Sequence, residues 1–119
     1  MAWVAQQEKQ VEHLVSVCTG AMVLATLGLL DGLECTTHYG SYDRLQEAAP
    51  KAVVRRDLRV ADNGHIVTGA GVSAGIDLAL HMIARLYGMQ EASDVAKYMM
   101  YRWADDDRAR AEDLAAAPA

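Results

Sequence analysis

The chain has 119 residues, 52% of them hydrophobic and 23% charged, with a formal net charge of −5. That length fits one domain hiding roughly two-thirds of its unfolded surface. The acidic balance leaves no surplus of Lys and Arg to displace phosphate counterions, which excludes autonomous nucleic-acid binding; two cysteines make neither a disulfide framework nor a four-cysteine zinc site.

Residues 2–10 are polar with helical spacing and predict the end of a helix. Residues 13–17, His-Leu-Val-Ser-Val, form a short run with two β-branched residues, long enough for a buried strand but not for a helix. Residues 20–27 are apolar on all sides, the pattern of a buried helix, with Gly28 as a left-handed C-cap and Asp31-Gly32 as a turn. Residues 34–38 predict a strand, and 41–48 a helix stopped by Pro50. Residues 58–62 and 65–68 flank Asn63-Gly64, a strong hairpin signal. Val72, Ile76, Ala79, Leu80, Ile83 and Tyr87 share one face of a long helix ended by Gly88. On that helix Asp77, His81 and Arg85 stand at i, i+4, i+8 and predict a polar face of local charge pairs. Residues 89–101 predict a further helix, and the charged, Ala-rich residues 105–119 a frayed helix or solvated tail.

Strands alternating with helices predict an α/β domain with a mainly parallel sheet. The sheet is small, and residues 13–17 would form an apolar edge of the kind proteins usually cover or pair. The longest apolar run, 21–30, is broken by Thr26 and Gly28 and is too short to span a bilayer. The start Met1-Ala2-Trp3, with Glu and Lys soon after, does not read as a signal peptide, so a cytoplasmic setting is expected.

Chemistry concentrates in Val15-Ser16-Val17-Cys18-Thr19-Gly20-Ala21. A strand runs into a helix with Cys18 at the junction, and small residues lie two positions before it (Ser16) and two after (Gly20): the layout of a nucleophile elbow. The free N–H groups of a helix start would favour a thiolate there, and the Thr19 N–H is placed to donate to an oxyanion. The alternative is a buried structural cysteine, the commonest fate of a lone Cys. Cys35, inside a strand, reads as buried and inert. Gly69-Ala70-Gly71-Val72-Ser73-Ala74 formally satisfies a dinucleotide fingerprint, but its acidic ribose partner would have to be Asp94, which falls in a predicted helix. Those small residues are read instead as close packing of helix on sheet, with Gly71 shaping one wall of a pocket above Cys18. His13, His65 and His81 read as structural or surface residues. The Tyr98, Met99, Met100, Tyr101, Trp103 cluster reads as core or interface.

Four ordered motifs, Ser-Val-Cys-Thr-Gly-Ala, Leu-Gly-Leu-Leu-Asp-Gly, Thr-Thr-His and Ala-Gly-Val-Ser-Ala-Gly-Ile-Asp-Leu-Ala-Leu, resemble the ThiJ/PfpI superfamily of the class I glutamine amidotransferase-like fold. The likeness runs over residues 1–103 and is strongest to isocyanide (isonitrile) hydratases and to the ligand-binding domains of AraC-type transcription regulators. It implies a flavodoxin-like three-layer α/β sandwich of which this chain is the C-terminal half, residues 104–119 being a tail. It implies that Cys18 is the elbow nucleophile, with Thr19 beside it, and that His38 either lies near enough to exchange protons or is a structural histidine hydrogen-bonded at the end of a strand. Thr19, Gly20 and Gly71 would line the oxyanion and pocket region. The carboxylate that approaches the cysteine in such proteins would come from the missing N-terminal strands, since neither Glu8 nor Glu12 ends a strand. The expected activity is a cysteine-dependent hydratase or hydrolase of small molecules. The alternatives are a ligand-sensing domain without catalysis, or a half-domain that works only when paired. No cofactor and no metal is expected. The expected partners are a small-molecule ligand and a second copy in a homodimer or higher oligomer, or a missing N-terminal half on another chain; neither nucleic acid nor membrane is expected.

Overall fold

Hydrophobic runs too short for helices become strands on which the helices pack from both sides. The computed structural model describes residues 1–103, so the expected tail lies outside the described residues. In chain order the elements are α1 (Ala2–Glu8), β1 (Leu14–Val17), a 3-10 turn (Cys18–Gly20) running into α2 (Ala21–Thr26), β2 (Glu34–Cys35), a second 3-10 turn (Tyr39–Ser41), α3 (Tyr42–Ala48), β3 (Val53–Val54), β4 (Val60–Asp62), β5 (Ile66–Gly69), α4 (Ala74–Tyr87) and α5 (Met89–Tyr98).

The main sheet has the order β1-β5-β4. β1 runs parallel to β5 with Leu14 opposite Ile66, and β4 runs antiparallel to β5 through the expected hairpin. Its turn needs Gly64 at φ +91°, and the Gly64 N–H donates to Asp62 Oδ1 at 2.7 Å. β2 and β3 form a separate parallel pair. The two sheets are joined where the Thr36 N–H donates to Thr68 Oγ1 at 2.9 Å, both residues fully buried.

Neighbouring residues of β5 mark the two faces. Ile66 joins the core of α2 and α3, with Leu24, Leu30 and Leu45, whereas Val67 packs with Val60 and Leu78 of α4. α5 closes on α4 through Leu80, Ala92, Ala96 and Trp103. Gly69 lets α4 come this close: a Cβ there would lie 2.9 Å from Leu78 Cδ2.

Three expectations need correction, and one strand, β3, was not foreseen. The strand expected at 34–38 stops at Cys35, because Thr36 and Thr37 turn their polar groups to Thr68 and Cys18 instead of continuing the ladder. β3 has only two residues, too short for a periodic signal. α2 is not buried all round: Ala21, Leu24 and Ala25 are inside while Val23 is 36% exposed.

The largest change concerns α4. Its buried residues are Ala74, Asp77, Leu78, Leu80 and His81, so Leu80 of the expected apolar face is inside, while Val72 just before the helix and Tyr87 at its end are 83% and 74% exposed. The acid and the imidazole go inside because their partners come from strand and loop, not from the next helical turn. Arg59 Nε donates to Asp77 Oδ2 at 2.5 Å, and His81 Nε2 and Arg85 Nη1 both meet the Asp62 carboxylate, at 2.7 Å. The predicted local pairs along the helix are replaced by pairs across the fold.

Candidate functional site

β1 and β5 run side by side and end together, so the loops that follow them meet at one end of the sheet. Cys18 is the first residue past β1 and adopts φ +54°. This left-handed backbone costs a residue with a Cβ roughly 1–2 kcal/mol, and such strain persists only where the surroundings over-determine it. Here both backbone groups are held: the Cys18 N–H donates to Ala70 O at 3.0 Å, and Thr37 Oγ1 donates to Cys18 O at 2.8 Å. Val17 is still extended (φ −121°, ψ 142°), and the 3-10 turn begins at once, so the chain reverses within a single residue. That places Cys18, half-buried, at the mouth of a helical segment, with Thr19 and Gly20 exposed beside it.

The two small flanking residues face one another. A Cβ on Gly20 would sit 3.7 Å from Ser16 Cβ, an ordinary contact, so the turn has room for a methyl group but for little more. Gly71 answers a tighter constraint, since a Cβ there would lie 2.7 Å from His38 Cδ2. His38 caps the turn that follows it: its Nδ1 accepts the Gly40 N–H at 3.1 Å, and its ring lies 4.6 Å from that of Tyr39. Cys18 against Ala70 and His38 against Gly71 thus bring three separate stretches of chain to one place.

Cys35 makes the contrast. It is fully buried with its thiol 3.8 Å from Val53 O, and burial pushes that thiol up to about 11.

Two features escaped the sequence reading. Thr37 carries a direct bond to the elbow, yet its acceptor is a backbone carbonyl that no side-chain pattern announces. The second is a cleft of about 330 Å³ lined by Tyr39, Tyr42, Arg56, Arg59, Gly71 and Ser73 among others. Its charges are paired: Arg56 with Asp43 at 2.6 Å, Asp57 with Arg55 at 2.6 Å, and Arg59 with the buried Asp77. Cys18 is not among its lining residues, but its N–H bonds the carbonyl of Ala70, which is. Among the described residues no group of three or more His, Cys, Asp and Glu is placed to hold a metal ion, and no helix is long and apolar enough to cross a membrane.

A strand-to-helix cysteine in a left-handed turn, on a partial α/β sheet with helices on both faces, defines the class. The sequence matches the DJ-1/PfpI family over residues 1–85, and the chain belongs to that family. It is 37% identical over 99 residues to isonitrile hydratase of Pseudomonas putida, covering 83% of this chain and 42% of that protein. It is 34% identical over 95 residues to the HTH-type transcriptional regulator GbdR of Pseudomonas aeruginosa, covering 80% of this chain and 26% of the regulator. In structure it is similar to a ThiJ/PfpI family protein from Pseudomonas syringae (TM-score 0.75, 31% identity, 85% of this chain and 40% of that one). It is also similar to DJ-1 of Toxoplasma gondii (TM-score 0.69, 27% identity, 85% and 53%). The fold is the flavodoxin-like α/β arrangement of these proteins with a partial sheet, and the chain spans less than half the length of the curated relatives named here.

Proposed function

We propose that this DJ-1/PfpI domain uses Cys18 as a nucleophile toward a small electrophilic carbon, as in hydration of an isonitrile to an N-substituted formamide. The observation that carries the reading is the left-handed Cys18 backbone, pinned by Ala70 and Thr37. The Cys18 sulfur adds to the terminal isonitrile carbon while a proton is delivered to the adduct, giving a thioimidate. Water then adds to that carbon and the thiol leaves, so one water is consumed and the formamide is released. Thr19 orients the adduct or the water through its N–H and hydroxyl, and His38 is the proton-exchanging group within the chain. The carboxylate that completes proton transfer lies outside the described residues. The setting is the reducing cytoplasm, where a thiol nucleophile stays available.

In the alternative reading the domain senses a small molecule without turnover. What favours it is the cleft beside residues 70–71 and the likeness to HTH-type regulators.

Iodoacetamide labelling followed by mass spectrometry separates the two. The nucleophile reading expects a single adduct, on Cys18, formed faster than on Cys35 in the unfolded chain, and isonitrile consumption that Cys18→Ala abolishes. Sluggish labelling of Cys18, with a ligand raising Tm equally in wild type and Cys18→Ala, would overturn it in favour of sensing.

A further inference from the structure

Arg55, Arg56 and Arg59 lie in one short stretch of chain, and the last two line the cleft of about 330 Å³. The three are held very differently. Arg55 grips Asp57 with both arms of its fork, Nε to Oδ1 at 2.8 Å and Nη2 to Oδ2 at 2.6 Å, and reaches Glu34 as well. Arg59 is fixed in the wall. Its Nε donates to Asp77, which is fully buried and also takes the Tyr101 hydroxyl, and its Nη2 donates to Ser73 Oγ at 3.2 Å. Arg56 instead gives Asp43 a single bond, Nη2 to Oδ1 at 2.6 Å, with the two side chains 61% and 88% exposed. An exposed pair of this kind is weak and readily exchanged, because the released acid returns to water. The guanidinium is nevertheless aimed, since its carbon stands 5.0 Å from the centre of the Tyr42 ring. An arginine so placed offers a planar fork that suits the two oxygens of one carboxylate. Tyr39 supplies the apolar complement on the same cleft: its ring is 77% exposed and leans on His38 at 4.6 Å.

We propose that this cleft binds a small aromatic monocarboxylate, its carboxylate taken by Arg56 in place of Asp43 and its ring lying against Tyr39. The proposal rests on the sensing reading of the cleft and gives it a ligand class; Cys18 has no part in it. Charge selects a monoanion. Among the described residues bonded around the cleft, Arg55, Arg56 and Arg59 are answered by Asp43, Asp57 and Asp77, with Glu34 in addition. No excess of positive charge is left for a dianion such as phosphate. A single carboxylate exchanges one for one with Asp43 and leaves the balance as it was. Size selects a small body, since sites for small molecules span about 300–1,000 Å³ and this cleft lies at the lower end. Arg59, held from behind by Asp77, adds a positive wall that needs no ordering when the ligand arrives.

Benzoate is the probe, titrated into wild type and Cys18→Ala and followed by calorimetry and by backbone amide shifts in nuclear magnetic resonance. Saturable binding is expected, with the largest shifts in residues 39–42, 56–59 and 70–74. Equal affinity in the two proteins is expected, which sets the site apart from the cysteine chemistry. Arg56→Gln changes an exposed position and is expected to weaken benzoate roughly tenfold. Asp43→Asn removes the competing acid and is expected to tighten it about threefold. Benzamide, with the same shape but no charge, is expected to bind roughly tenfold more weakly than benzoate. Benzamide binding as well as benzoate, or a benzoate affinity indifferent to both variants, would overturn the carboxylate assignment and leave the sensing reading standing. If neither probe shifts the cleft residues, the proposal and the use of this cleft for sensing fall together.

Discussion

At Cys18 the backbone holds a conformation that a side chain with a Cβ disfavours, and two bonds from distant residues keep it there. Glycine relieves this strain while alanine does not. Cys18→Gly is therefore expected to be more stable than Cys18→Ala by about 1 kcal/mol in urea unfolding, the reverse of the usual order for these two residues. Thr37→Val keeps shape but removes the donor to the Cys18 carbonyl. It is expected to cost about 1 kcal/mol and to slow Cys18 alkylation, because the sulfur is no longer held at one angle. The cysteine itself was readable from its small neighbours Ser16 and Gly20. Thr37 was not, because its bond reaches a main-chain oxygen 19 residues away.

α5 ends without glycine in a form that usually calls for one. Met100 takes φ +57°, its N–H bonds Lys97 O at 3.0 Å, and the Tyr101 N–H bonds Ala96 O at 2.9 Å, the paired bonds of a Schellman motif. Met100 is 90% exposed, so its side chain contributes little packing that glycine would forfeit. Met100→Gly is expected to raise the urea unfolding free energy by about 1 kcal/mol. The end of α5 also places Tyr101, whose hydroxyl donates to Asp77 Oδ1 at 2.9 Å beside Arg59. α4 shows where helical periodicity misleads. Val72, Ile76 and Tyr87 share an apolar face that stays largely outside, while Asp77 and His81 go in because Arg59, Tyr101 and Asp62 satisfy them. Hydrophobic spacing finds a helix reliably, but which way it turns depends on partners far along the chain. The hairpin was readable because Asn63-Gly64 is a local signal. The paired β2 and β3 were not, since two residues carry no period.

Across the whole molecule, ionisable groups grip the hairpin tip from both sides, and they set the pH response. Burial acts to raise the Asp62 carboxyl, but bonds from His81, the Gly64 N–H and Arg85 outweigh it and hold Asp62 below its ordinary value. A depressed carboxylate contributes stability above its unfolded value and loses it as pH falls through the folded one. His65 is raised by the Glu12 carbonyl first, with Glu8 adding through its side chain and carbonyl against a smaller effect of burial. Its contribution is complete below the ordinary imidazole value of 6.5 and is lost as pH rises through the higher folded value. Tm is therefore expected to fall at the acid end through Asp62 and to decline again above neutrality through His65. Glu8→Gln is expected to flatten only the second decline, as followed by differential scanning calorimetry across pH. Finally, the two sulfurs differ so much in access that they divide the labour of reporting on the molecule. Once Cys18 has been blocked, any later reagent uptake belongs to Cys35, and its rate counts how often the interior opens. The protein thus carries a native stopwatch for its own breathing, with no foreign probe installed.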